Sequence, residues 1–289
     1  MRKFIYLIIG VVIIFFAAKD GLQYWQAYMT QDAAPTPTPT PTLDAIVGTP
    51  EPVANNNIIV ASPAKDASVS LPFTITGSAR VFENTVSFSI KDAETGNEIY
   101  RNFTTANAAD MGQFGPYTHT VTYMDAKPVS DQIVLEVFWD SPEDGRPLDV
   151  VAIPLVFNRA DIRSVDIYFT NDRLDPEVTC VKVFSTERVI ARTAAPASAA
   201  IELLLKGPTA GERERHYATQ IPEGIKLPRL SIAQGTATID FNADIEAGMA
   251  GSCRVQAVRA QIERTLYQFA NISGVVISVE GRTEDILQP

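Results

Sequence analysis

The chain has 289 residues, 46% of them hydrophobic, which is enough for about two domains with proper cores. Its formal charge of −10, from 24 Lys and Arg against 34 Asp and Glu, argues against nucleic acid, whose phosphates demand a basic face. The separation and number of the two cysteines fit no zinc pattern, since zinc needs about four ligands and the chain has only two histidines.

Arg2 and Lys3 precede an uncharged, mostly apolar run from Phe4 to Ala18. The run is shorter than the ~20 residues that span a bilayer. Leu22, Tyr24, Trp25 and Tyr28 lengthen it or lie at the interface as an aromatic belt. Residues 1–30 therefore read as an uncleaved transmembrane signal anchor with its basic end inside. A cleaved secretory signal is the alternative, although Phe16 spoils an Ala-x-Ala pattern ending at Ala18. No cysteine follows the run, which argues against a lipoprotein. Either reading puts the rest of the chain outside the cytoplasm, and the anchor reading expects a single-pass cell-membrane protein with its folded domains extracytoplasmic. There a disulfide is permitted, and Cys180–Cys253 is the predicted pair. Closing so long a loop would stabilise the fold by about 4 kcal/mol in the chain-entropy model.

Residues 31–56 read as a linker. Pro35, Pro37, Pro39 and Pro41 alternate with threonines, and Pro50 and Pro52 follow. Such a segment prefers extended polyproline geometry. At ~3.1 Å per residue it reaches on the order of 70 Å, a stalk holding the folded domains off the membrane.

Residues 57–160 read as all-β. Ile58 to Val60, Val69 to Thr76, Glu98 to Phe103, Thr118 to Met124 and Val150 to Phe157 are predicted strands. Val86, Phe88 and Ile90 alternate with polar residues, as do Ile133, Leu135, Val137 and Trp139. About seven strands at this spacing predict a β-sandwich. Gly77 is expected to end a strand, and Val81 and Phe82 to begin the next core layer.

Residues 161–289 alternate strands and helices. Val165, Ile167 and Phe169 mark one strand; Val178 to Phe184 is a second, extended by Arg188 to Ala191. Pro196 opens a helix at the position where its missing N–H costs nothing. Ala197, Ile201, Leu204 and Leu205 form its apolar stripe, Lys206 suits its last turn, and Gly207 caps it. Leu230 and Ile232 alternate into a Gln234-Gly235 turn, and Ala237, Ile239 and Phe241 alternate out of it. Gly251 to Phe269 is a long helix with Val255, Val258, Ile262, Leu266 and Phe269 on one face. Val275, Ile277 and Val279 close the set. The expected architecture is α+β, with helices packed on a mixed sheet.

Leu204-Leu205-Lys206-Gly207-Pro208-Thr209, Ile221-Pro222-Glu223-Gly224 and Gly235-Thr236-Ala237-Thr238-Ile239-Asp240-Phe241 occur in order, followed by the run Gln261 to Phe269. This set, from about Ser164 to Gly281, resembles the GerMN domain of bacterial sporulation and spore germination proteins. Upstream, Ile59-Val60-Ala61-Ser62-Pro63, the run Pro72 to Glu83 and Gly112-Gln113-Phe114 resemble the immunoglobulin-like domain associated with bacterial spore germination. The fold class is thus multidomain: an all-β immunoglobulin-like sandwich, an α+β GerMN domain and an N-terminal transmembrane helix. The resemblance implies extracytoplasmic modules of envelope assemblies and no known catalytic chemistry.

A search for chemistry agrees. No Gly-x-Ser-x-Gly, His-x-x-x-His or phosphate-binding glycine loop is present. His119 and His216 read as solvated surface residues. Asp240-x-Asn242-x-Asp244 starts like a calcium loop, but Ile245 replaces the glycine and Gly251 the glutamate that such a loop requires. Asp140, Glu143, Asp144 and Asp149 read as turn residues. No catalytic, cofactor-binding or metal residue is assigned.

Two loops are candidate partner contacts. Gly211 to Gly224 carries Arg213, Arg215 and Tyr217, and the segment from Phe82 to Asn84 carries Phe82 and Glu83. Loops positioned by a scaffold commonly carry function. The expected role is a non-catalytic scaffold or assembly factor of a cell-envelope complex, with an envelope protein as partner. The alternative is a peptidoglycan- or glycan-binding module.

Overall fold

A computed structural model describes residues 51–249 and 251–288. The predicted anchor over 1–30 and the linker up to residue 50 lie outside the described residues. Among the described residues, no helix is long and apolar enough to cross a membrane.

The stretch read as linker ends earlier than expected. β1 (Val53–Ala54) pairs antiparallel with β2 (Ile58–Ser62), Val53 opposite Val60. Asn55 closes the turn, its Oδ1 accepting from the N–H groups of Asn57 and Ile58 at 2.9 and 2.8 Å. Among the described residues, regular structure therefore begins at Val53.

The strands that follow are β3 (Ser68–Val69), β4 (Phe73–Ala79), β5 (Thr85–Asp92), β6 (Glu98–Thr105), β7 (Gly115–Val121), β8 (Tyr123–Met124), β9 (Gln132–Asp140) and β10 (Pro147–Phe157). They make two sheets, β1-β2-β4-β7 and β3-β10-β9-β5-β6, with β8 in neither. Inward residues alternate as the period of two requires: Val86, Phe88 and Ile90 are fully buried, as are Ile133, Leu135 and Val137. Asp92 pins the end of β5. Its carboxylate accepts from the N–H groups of Thr95, Val129 and Ser130 at 2.9, 2.7 and 3.0 Å. The Ser130 N–H leads these bonds, which together outweigh burial and hold the Asp92 pKa down to about 2.

Gly77 does not end a strand but lies inside β4. A Cβ there would sit 2.0 Å from the Ile59 carbonyl oxygen and 2.5 Å from the Tyr117 hydroxyl. That hydroxyl crosses the gap to donate to Ile59 at 3.1 Å, so the glycine answers a need for space. Val81 joins the core as expected, whereas Phe82 is 53% exposed.

Downstream, β11 (Ile162–Asn171) and β12 (Phe184–Ala191) form an antiparallel ladder from Ile162 opposite Ala191 to Phe169 opposite Phe184. Of the predicted strand over Val178 to Phe184, Val178 to Val183 is a loop and only Phe184 belongs to a strand, the start of β12. Asn171 and Asp175 take up its backbone: the Asn171 Oδ1 accepts from Arg173 and Leu174 N–H at 3.1 Å each, and the Asp175 carboxylate from Thr179 N–H at 2.8 Å. Side chains that bind nearby backbone in this way compete with a sheet ladder.

α1 (Pro196–Lys206) has Pro196 in its first turn, and Gly207, at φ 74, returns its N–H to the Leu204 carbonyl. A second helix, α2 (Ala210–Glu214), occupies part of the stretch read as a loop. It is nucleated by a capping box: Thr209 Oγ1 accepts from the Glu212 N–H, and Glu212 Oε2 accepts from the Thr209 N–H. β13 (Tyr217–Ala218) returns to β11. β14 (Arg229–Ala233) and β15 (Thr236–Phe241) form the predicted hairpin. Its turn residues Gln234 and Gly235 have φ 49 and 80, the left-handed pair that a two-residue hairpin demands. α3 (Ser252–Tyr267) leads to β16 (Gly274–Val279), which runs parallel to β15. The result is two sheets where one was expected, β13-β11-β12-β8 and β14-β15-β16. α1 and α3 pack on each other and on β11, and α3 also packs on β16.

The two regions are joined by more than the chain. β8 leaves the sandwich and adds to the edge of β12, Met124 opposite Val189 and Tyr123 opposite Ile190. Ile162 and Val189 pack within the sandwich core, and Tyr123 touches both cores. From Glu51 onward the chain forms one compact unit.

Candidate functional site

Beside the β8–β12 junction lies a cleft of about 1030 Å³. Tyr100, Asn102 and Thr120 line it from the sandwich, and Thr186, Lys206 and Arg213 from the other side. His119 is here too, and it is not the solvated residue expected from the sequence. Its ring stacks on Phe88 with centroids 4.7 Å apart, and its Nε2 lies 2.8 Å from the Tyr100 hydroxyl oxygen. Asn102 donates to the same hydroxyl at 3.1 Å. Burial lowers the His119 pKa and raises that of Tyr100, so both are neutral at pH 7. His216 is half-buried, its Nδ1 2.9 Å from Asp172 Oδ1. The cleft therefore offers hydroxyl, amide and imidazole groups suited to binding, and the Nε2 of His119 meets a tyrosine hydroxyl.

One wall of the cleft hides a buried ion pair of the second region, set beside its junction with the sandwich. Arg188 points inward from β12 and meets Glu212 of α2 through two bonds of 2.6 Å. Both side chains are 3% exposed. Burial alone would lower the Arg188 pKa and raise that of Glu212. The paired hydrogen bonds and charges win: the Arg188 pKa is raised and the Glu212 pKa lowered. Arg188 Nε also lies 3.6 Å from Asp125 Oδ1, just past β8. The Tyr123 ring is approached by two cations, with Arg188 Cζ 5.7 Å and Lys206 Nζ 5.4 Å from its centroid. Thus β8, β12, α1 and α2 meet around one guanidinium.

Asp125 is the strained member. Its Oδ1 is buried without a hydrogen bond, and burial pushes its pKa up from 3.8 to about 6, Arg188 opposing and Glu212 adding to the rise. A carboxyl whose pKa is raised on folding favours the folded state only while neutral. This contribution is fully present below pH 3.8 and is lost as pH rises to about 6. Asp125→Asn should flatten the decline in stability between pH 4 and pH 7, read as urea midpoints across that range. An unchanged slope in the variant would rule out Asp125 as its source.

The predicted disulfide is present. Cys180 and Cys253 are bridged across 73 residues, with Cα atoms 4.9 Å apart. The bridge ties the 172–183 loop to the start of α3. Leu174, Val178 and Val181 stand more than half exposed on that loop. Val178 and Cys180 adopt φ 48 and 66, a region uncommon for non-glycine residues and an outlier for a β-branched one. A cavity of about 700 Å³ lies against the bridge.

Of the predicted contact residues, Arg213 and Tyr217 line both the cleft and this cavity. Arg215 lines the cleft, and its carbonyl accepts from Asn171 Nδ2 at 2.9 Å. Phe82 and Glu83 line neither. Phe82 instead lies near Trp139, with ring centroids 6.4 Å apart, and Glu83 takes φ 51 in a short 3-10 turn. Arg188, Glu212, Asp125, Tyr123 and Tyr100 were not singled out from the sequence. A signal existed for two of them: Thr209-x-x-Glu212 spells a capping box, and Arg188 falls in step with buried Thr186 and Ile190.

The calcium-like motif is used internally. Asp240 Oδ1 accepts from Ser278 Oγ and the Gly281 N–H at 2.8 Å each. The acidic hairpin is dispersed: Asp140 pairs with Arg101, Asp144 with Arg146, and Asp149 accepts from Trp139 Nε1. Among the described residues, no three His, Cys, Asp or Glu side chains gather to hold a metal ion.

Among solved structures, the first GerMN domain of the sporulation protein GerM from Bacillus subtilis is similar at 19% identity. It covers 42% of this chain and 85% of its own, with a TM-score of 0.35. The tandem GerMN domains of the same protein are 23% identical over 50% of this chain and 51% of theirs, TM-score 0.35. A putative lipoprotein from Clostridium perfringens is 20% identical over 43% of this chain and 79% of its own, TM-score 0.28. No curated protein matches the chain. Two family models do match, and the chain carries in order an immunoglobulin-like domain of bacterial spore germination, residues 57–146, and a sporulation and spore germination domain, residues 166–285.

Proposed function

We propose that this protein is a membrane-anchored, non-catalytic assembly component of a cell-envelope complex, its folded domains outside the cytoplasm. The observation that carries the reading is the fusion of two germination-type domains into one body. β8 pairs with β12, and Asp125, just past β8, lies 3.6 Å from Arg188 of β12. Two modules fixed in this way present one composite surface to a partner, at little cost in ordering on binding. The apolar run from Phe4 to Ala18 and the Cys180–Cys253 bridge suit an anchored, extracytoplasmic chain.

Crosslinking with mass spectrometry on intact cells tests the role. Lys182, Lys206 and Lys226 are all exposed and available to a crosslinker. Recurrent crosslinks from them to one envelope protein are the expected result. Crosslinks confined to the chain, with the protein retained on wall sacculi, would overturn the reading in favour of glycan binding. The cleft favours that second reading on one point: Asn102, Thr120, Thr122 and Thr186 supply the amide and hydroxyl groups that hydrogen-bond sugars.

A further inference from the structure

The cavity beside the Cys180–Cys253 bridge differs in character from the cleft. Its lining includes apolar surface from Val178, Ala218, Ala257 and the bridge itself, with Ala257 buried and Val178 and Ala218 exposed. Its rim carries Lys182, Arg213 and Arg254, on a chain whose net charge is −10. The two carboxylates at the cavity are already engaged. Asp172 meets His216 at 2.9 Å, and Asp175 accepts from Thr179 at 2.8 Å and from Lys182 at 3.3 Å. Among the described residues, the two arginines meet only backbone carbonyls: Arg213 that of Pro208, Arg254 those of Gln220 at 3.2 Å and Gly248 at 2.6 Å. A guanidinium has five N–H donors in a fixed fork, so donors remain on both.

We propose that this cavity binds an oxyanion, a carboxylate or a phosphate, carried on a partly apolar body. Arginine recognises both groups through paired, charge-assisted bonds, the strong class of hydrogen bond. A lining that mixes apolar surface with a few polar groups is the usual form of a small-ligand site. The bridge and the Asp175 network hold the cavity wall in place before any ligand arrives, which removes an ordering cost. The site is separate from the assembly role proposed above, and either can fail alone.

Arginine protection on the full chain tests it. Phenylglyoxal modification of each arginine is followed by peptide mass spectrometry, with phenyl phosphate, phenylpropionate or, as a neutral control, benzyl alcohol. One of the two anions should protect Arg213 and Arg254 saturably and at least fivefold, and benzyl alcohol neither. Arg146, 69% exposed on a sandwich turn, should be unaffected. The more effective anion identifies the source as phosphate or carboxylate. Lys182→Gln, at an exposed position, should raise the half-saturating concentration several-fold while leaving the fold intact. Arg213→Gln should do the same with Arg254 as the reporter. Protection that does not saturate, that is equal at Arg146, or that is unchanged in Lys182→Gln overturns the proposal.

Discussion

Arg188→Met should be the most damaging single substitution in the chain, lowering stability by about 3–5 kcal/mol. The variant leaves Glu212, 3% exposed, as a buried charge without its cation. Asp125 loses its only cation at the same time. In a folded unit of this size the melting temperature should fall by roughly 10 °C. Most of that cost comes from stranding the partner and not from the worth of the pair itself. Arg188→Met with Glu212→Gln should therefore recover much of the loss, because a neutral amide keeps an acceptor for the Thr209 N–H. Arg146→Ala is the control: its pair with Asp144 is 69% and 46% exposed, and such pairs contribute about 1 kcal/mol or less. Thermal and urea unfolding of the four proteins measure these differences. A loss below about 1 kcal/mol for Arg188→Met, the range of an exposed pair, would mean that the buried pair does not hold β12 to α2.

Removing the disulfide should come next. Cys180→Ser with Cys253→Ser frees a loop of 73 residues. In the chain-entropy model this costs about 4 kcal/mol. The effect should also be local. The 172–183 loop holds Val178 and Cys180 at positive φ and sets Leu174, Val178 and Val181 in solvent. Without the bridge its amides should exchange faster, while Asp175 still gathers Thr179. Hydrogen exchange and unfolding of the paired variants read both effects. Unchanged stability together with unchanged exchange over residues 172–183 would show that the bridge is incidental.

What could be read from the sequence was what local rules decide. α1 carries its own start and stop in Pro196, Lys206 and Gly207, and the β14–β15 hairpin carries its turn in Gln234 and Gly235. Strands β5 and β9 of the sandwich follow from alternation alone. The Val178 to Phe184 segment shows where such rules fail. Its valines favour a strand, yet Asn171, Asp175 and a cysteine 73 residues away decide its path. His119 was misread for a simpler reason. It falls in step with buried Tyr117 and Val121, so its inward face was legible, but the threonines around it masked the period. The buried pair was legible only in halves. The capping box of α2 could be seen in Thr209 and Glu212. That Glu212 faces Arg188, 24 residues away, depends on how α2 returns to β12. The addition of β8 to β12 leaves no local trace either, because two residues of strand carry almost no periodic signal.

Central to the proposed role is that the sandwich and the α+β region move as one body. Residual dipolar couplings measured over β9 and β10 in one region, and over β15 and α3 in the other, test this most directly. A single alignment tensor fitting both sets is the predicted result. Two tensors of clearly different magnitude would contradict it, since the β8–β12 junction would then be a hinge.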